Sequence, residues 1–268
     1  MKTSEELKQI VKEKYGEIAE RSQPKSSSSC CGGSSCCDDM DYSVMADDYS
    51  KLKGYNPDAD LQLGCGLPTE FAKINAGDTV VDLGSGAGND CFVTRTIAGP
   101  SGKVIGVDMT EKMIEKARKN AATLGYDNVE FVFGDIETIP LPESTADVVV
   151  SNCVMNLVPD KEKAFAETYR ILKPGGHFSI SDIVLRGDLP EGLKDDASMY
   201  AGCVSGALQQ EDYLENVKKA GFKNIVIQKE KAITLPEEVW TKYIGREEIA
   251  TYQDASKGIY SITVYAEK

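Results

Sequence analysis

Thr79-Val80-Val81-Asp82-Leu83-Gly84-Ser85-Gly86-Ala87-Gly88 decides how the rest of the chain is read. A short β-branched, apolar run that ends in glycines is the pattern of a strand buried on both faces of a parallel sheet. The glycines let the backbone turn tightly and approach a ligand that side chains would exclude. Their spacing is G-x-G-x-G rather than the G-x-G-x-x-G of dinucleotide sites, so no pyrophosphate seat is specified.

Outward from this stretch the text alternates helix and strand. A helix is expected to Ala98, then a strand over Lys103–Asp108. Thr110 serves as N-cap for a helix to Leu124. Strands follow at Val129–Phe133 and Ala146–Ser151. Pro159-Asp160 opens a helix to Leu172, and Lys173-Pro174-Gly175-Gly176 stops it before a fifth strand, His177–Val184. This rhythm predicts an α/β fold: a doubly wound, mostly parallel, Rossmann-like sheet of order 3-2-1-4-5. Beyond Arg186 it changes to helical stretches at 190–201 and 210–220 and strands at 223–229 and 258–266. The expected division is a ligand-binding domain over 41–185 and a smaller α+β substrate region over 186–268. Residues 1–20 read as a charged helix with apolar positions at Leu7, Ile10, Val11 and Ile18. Residues 21–37 are Ser- and Cys-rich and bury too little apolar surface to order themselves. Residues 1–40 are therefore expected to form a mobile, cysteine-rich tail.

Composition narrows the chemistry. Forty-three acidic against 30 basic side chains give a net charge of −13, which repels phosphate backbones and argues against a nucleic-acid partner. No apolar stretch approaches the ~18 residues of a membrane span, and the charged start lacks a secretory core, so a cytoplasmic protein is expected. Eight cysteines are then mostly reduced thiols rather than a disulfide framework. A single histidine, His177, nearly excludes His-based zinc hydrolysis and His-assisted nucleophiles, and no resident metal is expected.

Three carboxylates stand at successive strand ends in register with the glycine loop. Asp82 suits an ammonium group, Asp108 the two hydroxyls of a ribose, and Asp135 an adenine amino group. Together they predict a nucleoside-bearing ligand, although Asp108 also precedes a helix that it can cap. In the 3-2-1-4-5 order strand four lies beside strand one, so Cys153 should face the pocket made by Gly84–Gly88. Cys65 and Cys203 lie in glycine-flanked loops, Gly64-Cys65-Gly66-Leu67-Pro68 and Gly202-Cys203-Val204-Ser205-Gly206, which favours reactivity over inert burial. Cys91, on an apolar helix face with Phe92 and Val93, reads as a buried small hydrophobe.

Over Phe71–Val184 the chain resembles the class I S-adenosylmethionine-dependent methyltransferases. That resemblance implies Asp82 near the methionine amine, Asp108 on the ribose, Met109 against adenine, and Asp135 with Ile136 at the adenine edge. It also implies an antiparallel strand near the C-terminus. Gly84, Ser85, Gly86, Gly88 and Asn152 complete the expected donor set. Ser151-Asn152-Cys153-Val154-Met155-Asn156-Leu157-Val158-Pro159-Asp160, with the Cys65 and Cys203 loops, resembles the arsenite methyltransferase family over about Asp60–Leu208. The matching cysteines, Cys65, Cys153 and Cys203, are then the thiols that bind arsenic as substrate. Cys30-Cys31 and Cys36-Cys37 resemble accessory pairs of some members. An external thiol or a thioredoxin-like reductant is implied as partner. Arsenite or its thiol conjugates are the expected substrates. The competing readings are a C- or O-methyltransferase of a quinone or sterol type and a thiol-based metalloid binder. The binder leaves Asp82, Asp108, Asp135 and the glycine loop without a task.

Overall fold

A computed structural model describes residues 3–21, 45–194, 203–252 and 257–268. Its centre is one seven-stranded sheet of order β3-β2-β1-β4-β5-β7-β6. The strands are β1 (Thr79–Leu83), β2 (Lys103–Asp108), β3 (Val129–Phe133), β4 (Ala146–Asn152), β5 (Leu172–Arg186), β6 (Lys223–Ile233) and β7 (Gly258–Glu267). β1 to β5 run parallel; β7 pairs antiparallel with β5, and β6 antiparallel with β7. The doubly wound order and the antiparallel C-terminal strand are both present. The boundary expected at 185/186 falls at the end of β5, and both later strands extend the same sheet.

The helices are α1 (Ser4–Arg21), α2 (Pro68–Phe71), α3 (Asn89–Ala98), α4 (Glu111–Leu124), α5 (Lys161–Ile171), α6 (Glu191–Lys194) and α7 (Gln210–Lys219), with shorter turns between β6 and β7. The apolar runs of the central strands supply both faces. Val81, Leu83, Ile105 and Val107 pack with Phe165, Tyr213 and Val217 of α5 and α7. On the other face, Val104, Val129 and Phe131 pack with Phe92 of α3 and with Met113, Ile114 and Ala117 of α4.

The N-terminal expectation needs correction over its first half. α1 is a helix as read, but it is no free tail: Val11 and Ala19 are buried, and Ala19 sits in the α3–α4 core. The period of its apolar residues gives it a narrow face, and Lys112–Glu20 and the two ion pairs of Lys8 hold it down. Residues 22–44, with Cys30, Cys31, Cys36 and Cys37, lie outside the described residues. Among the described residues no helix is long and apolar enough to cross a membrane.

Candidate active site

The ends of β1 and β4 part where the winding of the sheet reverses, and a cleft of about 970 Å³ opens there, solvent at its mouth included. Asp82, Gly84, Ser85, Gly86, Asp108, Met109, Asp135, Ile136, Asn152 and Cys153 all line it. Gly86 has φ +51° and a Cβ there would meet nothing within 4 Å, so its backbone lies open to the cleft. Gly88 belongs to the packing instead. A Cβ at Gly88 would come within 2.8 Å of Phe131 and 2.9 Å of Phe92, so its bareness lets α3 start against the aromatic core.

The electrostatics are one-sided. Asp60, Asp82, Asp90, Asp108 and Asp135 line the cleft, and among the described residues no basic side chain does. Burial, then the charge of Asp90, pushes the Asp82 carboxyl well above the usual carboxylate range. Burial also raises Asp90, to about 6, against the hydrogen bonds from Tyr49 and Asn152. Asp108 is raised by burial and held back by the N–H groups of Thr110 (2.8 Å) and Gly86 (2.9 Å). The Cys91 thiol is buried as read, and it donates to Asp82 Oδ2 at 3.2 Å, a contact the sequence did not suggest. Buried carboxylates without a cation are unfavourable, so the cleft is built for a positively charged ligand. Ser85 Oγ and Asn89 Oδ1, both on its wall, are buried with no hydrogen-bond partner among the described residues. An adenosyl group with a sulfonium and an ammonium fits this donor set: open backbone at Gly86, unpartnered polar atoms, and carboxylates for both cations.

Val11 and Tyr15 of α1 also line the cleft. Lys8 Nζ pairs with Asp135 Oδ2 at 2.6 Å and Glu137 Oε2 at 2.7 Å, so the carboxylate expected at the adenine edge already holds a cation. Burial lowers the Lys8 amine, but the bonds to the two carboxylates outweigh it and the net shift is upward. Removing residues 1–21 is expected to leave cooperative unfolding intact and to weaken donor-analogue binding about tenfold. Tenfold is about 1.4 kcal/mol, near the low end of what one buried apolar side chain contributes, about 1.5–3 kcal/mol. Calorimetric titration with S-adenosylhomocysteine checks it; an unchanged affinity would make α1 a bystander.

The three cysteines come together behind the cleft. Cys65, Cys153 and Cys203 are all buried free thiols within one apolar cluster, with Leu157, Ile183, Val204 and Trp240. Cys153 is the middle member. Its thiol neighbours those of Cys203 and Cys65, and their influence, then burial, pushes it well up. Burial likewise raises the Cys65 thiol. The Cys203 thiol donates to Cys153 O at 2.9 Å. Of the three only Cys153 lines the cleft. Cys153 thus neighbours both Cys65 and Cys203. Among the described residues no three Cys, His, Asp or Glu stand as a ready-made metal site.

Local backbone geometry explains this convergence. β4 ends at Asn152, and Cys153 turns out of it with φ +62° while its N–H still bonds Ser181 O of β5 at 2.7 Å. Cys203 also has a positive φ, +65°. The Cys65 loop needs its two glycines for close approach. A Cβ on Gly64 would lie 2.5 Å from Asn152 Nδ2, and one on Gly66 2.6 Å from Ser181 Oγ.

A buried polar group that the sequence reading missed lies close to the thiols. Asp182 of β5 is fully buried and accepts from Asn156 Nδ2 at 2.8 Å and from Tyr213 O–H at 3.5 Å. Burial pushes its carboxyl up to about 7, against the Ile183 N–H and the Lys161 charge. Lys161 in turn is lowered by burial, opposed by Asp182 and Cys203. A carboxyl held near 7 when folded and ~3.9 when unfolded binds its proton more tightly in the folded chain. It therefore subtracts stability progressively as pH rises from about 4 to 7. Asp182→Asn is expected to raise the urea midpoint above wild type by a margin that grows from pH 5 to pH 8. A margin independent of pH would contradict this ionisation.

Comparisons with known proteins follow the same line. Residues 74–221 match the model of a methyltransferase domain family. The chain is 38% identical, over 98% of its length and 67% of the relative, to an arsenite methyltransferase of Halobacterium salinarum. It is 36% identical to one from Aquipseudomonas alcaligenes, over 71% of this chain and 57% of that protein. Among solved structures it superposes with TM-score 0.64 and 32% identity on an arsenic(III) S-adenosylmethionine methyltransferase of Chlamydomonas reinhardtii. That alignment covers 85% of this chain and 74% of the other. The chain thus spans between about half and two thirds of these sequence relatives' own length.

Proposed function

We propose that this chain, which belongs to the arsenite methyltransferase family, transfers a methyl group from S-adenosylmethionine to trivalent arsenic held by Cys65, Cys153 and Cys203. One observation carries the proposal: Cys153 both lines the cationic-ligand cleft and shares one buried cluster with Cys65 and Cys203, the Cys203 thiol bonding its carbonyl. A quinone- or sterol-type methyltransferase has no use for that arrangement, and a simple metalloid binder has no use for the carboxylate-lined cleft.

S-adenosylmethionine, when bound, supplies a methyl group made electrophilic by its sulfonium. The chain's own part is to bind and to aim. Asp82 would hold the ammonium, Asp108 and the Gly86 backbone the ribose, and Met109 with Ile136 the adenine. Arsenic is soft and thiophilic, so three sulfurs are its natural ligands. Loading from arsenous acid is balanced: three S–H and three As–OH bonds give three As–S bonds and three waters. It also requires the Cys203 thiol to leave the Cys153 carbonyl and turn toward the common centre. Three-coordinate arsenic keeps a lone pair and has no proton to lose, so methyl transfer needs no general base. The apolar shell of Leu157, Ile183, Val204 and Trp240 excludes water that would compete for arsenic. Holding the two partners in line can lower the barrier by roughly 7–11 kcal/mol. Methyl transfer takes two electrons from arsenic, and an external thiol or thioredoxin-type reductant returns them.

The test is speciation by mass spectrometry. Full-length protein with donor, arsenite and a thiol should yield methylated arsenicals and S-adenosylhomocysteine. Donor turnover with phenols or quinols but none with arsenite would reverse the assignment.

A further inference from the structure

Asn152 stands between the two halves of the site, and its side chain is fully engaged there. Its Oδ1 accepts from the N–H of Cys65 at 3.0 Å and of Gly66 at 3.3 Å. Its Nδ2 donates to Gly66 O at 2.8 Å and to Tyr49 Oη at 2.6 Å, and reaches Asp90 Oδ2 directly at a longer 3.4 Å. Tyr49 is buried, and its hydroxyl reaches both carboxylate oxygens of Asp90 at 2.9 Å. Asp90 in turn lines the donor cleft beside Asp82. An unbroken chain of hydrogen bonds therefore runs from the cleft through Asp90, Tyr49 and Asn152 to the backbone of the Cys65 loop. Neither Tyr49 nor Asp90 belongs to the expected donor set, and Asn152 was placed in it for a different role.

We propose that Asn152 is a positioning residue that fixes the Cys65 thiol beside Cys153 and, through Tyr49 and Asp90, couples occupancy of the donor cleft to arsenic binding. The proposal rests on the function assigned above and deepens it. Asn152 is the residue before Cys153, so one side chain ties the Cys65 loop to the strand end that presents the middle thiol. The Tyr49 hydroxyl has two acceptors within reach, Asp90 and Gly66 O at 3.2 Å. A cationic donor in the cleft favours ionised Asp90, and an ionised carboxylate is the stronger acceptor. That commits the hydroxyl proton to Asp90 and leaves the Tyr49 oxygen to accept from Asn152, a head-to-tail order in which each bond strengthens the next. The carboxylates facing Asp90, namely Asp60 and Asp82, oppose its ionisation until a cation arrives. Two ligands joined by such a device bind with reciprocal coupling.

The experiment uses the full chain with Cys30, Cys31, Cys36 and Cys37 replaced by serine, so that only the described thiols report. Arsenite binding is followed by the arsenic–thiolate ultraviolet absorption, with and without saturating S-adenosylmethionine under single-turnover mixing, and by titration with phenylarsine oxide. In the parent chain, donor should tighten arsenite binding about fivefold or more, within the usual range of coupling between sites. Tyr49→Phe should reduce the coupling, leaving only the longer direct Asn152–Asp90 contact at 3.4 Å, and should weaken arsenite alone less than Asn152→Ala does. Asn152→Ala should abolish the coupling and also weaken arsenite alone, because two buried N–H groups of the loop lose their acceptor. Phenylarsine oxide, which needs two thiols, should lose more affinity in Asn152→Ala than in Tyr49→Phe. Coupling that persists in Asn152→Ala, or is undiminished in Tyr49→Phe, or is missing from the parent chain, overturns the proposal. Absence of any arsenic–thiolate absorption in the parent chain overturns the functional assignment itself, and the two failures are thereby told apart.

Discussion

Cys153→Ser is expected to lower methyl transfer to arsenite by at least ~100-fold while leaving donor affinity within about twofold, since a hydroxyl is a poor ligand for soft arsenic. The size follows from position. Cys153 neighbours both other thiols and is the one of the three that borders the cleft, so its loss removes the central arsenic ligand and the one nearest the donor site. Serine keeps nearly the same volume and the same left-handed backbone, so the fold has little reason to respond. Cys65→Ser and Cys203→Ser remove outer members and should retain weak two-thiol binding of arsenic. Initial rates with arsenite, set beside calorimetric binding of S-adenosylhomocysteine, separate loss of chemistry from loss of the donor. A Cys153→Ser enzyme with normal turnover would remove the thiol site from the mechanism.

Asp82→Asn should separate stability from binding. The carboxyl is buried at 2% exposure beside Asp90 and Asp108, and without a cation it carries an unfavourable charge. Asparagine removes that charge and can still accept from the Cys91 thiol through its oxygen. The ligand-free variant should therefore unfold at a higher temperature than wild type, with the gain largest at high pH where the native carboxyl is driven to ionise. Donor affinity should fall on the order of 10–100-fold, the equivalent of losing one charged hydrogen bond worth about 1.5–3 kcal/mol. A variant less stable than wild type at pH 8 that binds donor normally would mean that Asp82 serves the fold and not the ligand.

The order of the central strands was legible because it depends on local pattern. β1 is buried on both faces and reads as an unbroken apolar run, and each following helix starts and stops at recognisable caps and glycines. Strand ends then placed Asp82, Asp108 and Cys153 at the winding reversal without knowledge of the side-chain packing. Residues whose position is decided by tertiary contact were not legible. Tyr49 lies in an irregular stretch, and Asp90 is a lone acid in the first turn of an ordinary helix; only their meeting with Asn152 makes them part of the site. Lys8 and α1 looked like a solvated segment, because a charged helix with few apolar positions gives no sign that it will cover a cleft. Asp182 sits inside an apolar strand where the pleat alternates, and nothing local shows that its neighbours are Asn156, Lys161 and Tyr213. Gly88 was grouped with the ligand loop by spacing, yet two aromatic rings, Phe92 and Phe131, account for it.

X-ray absorption at the arsenic edge interrogates the geometry most directly. Protein carrying serine at positions 30, 31, 36 and 37, loaded with one equivalent of arsenite and washed free of small thiols, should show a first shell of three sulfurs and no oxygen. In Cys153→Ser the same spectrum should lose sulfur and gain oxygen. A wild-type shell still dominated by oxygen, or one that Cys153→Ser leaves unaltered, would mean that these thiols do not meet on arsenic.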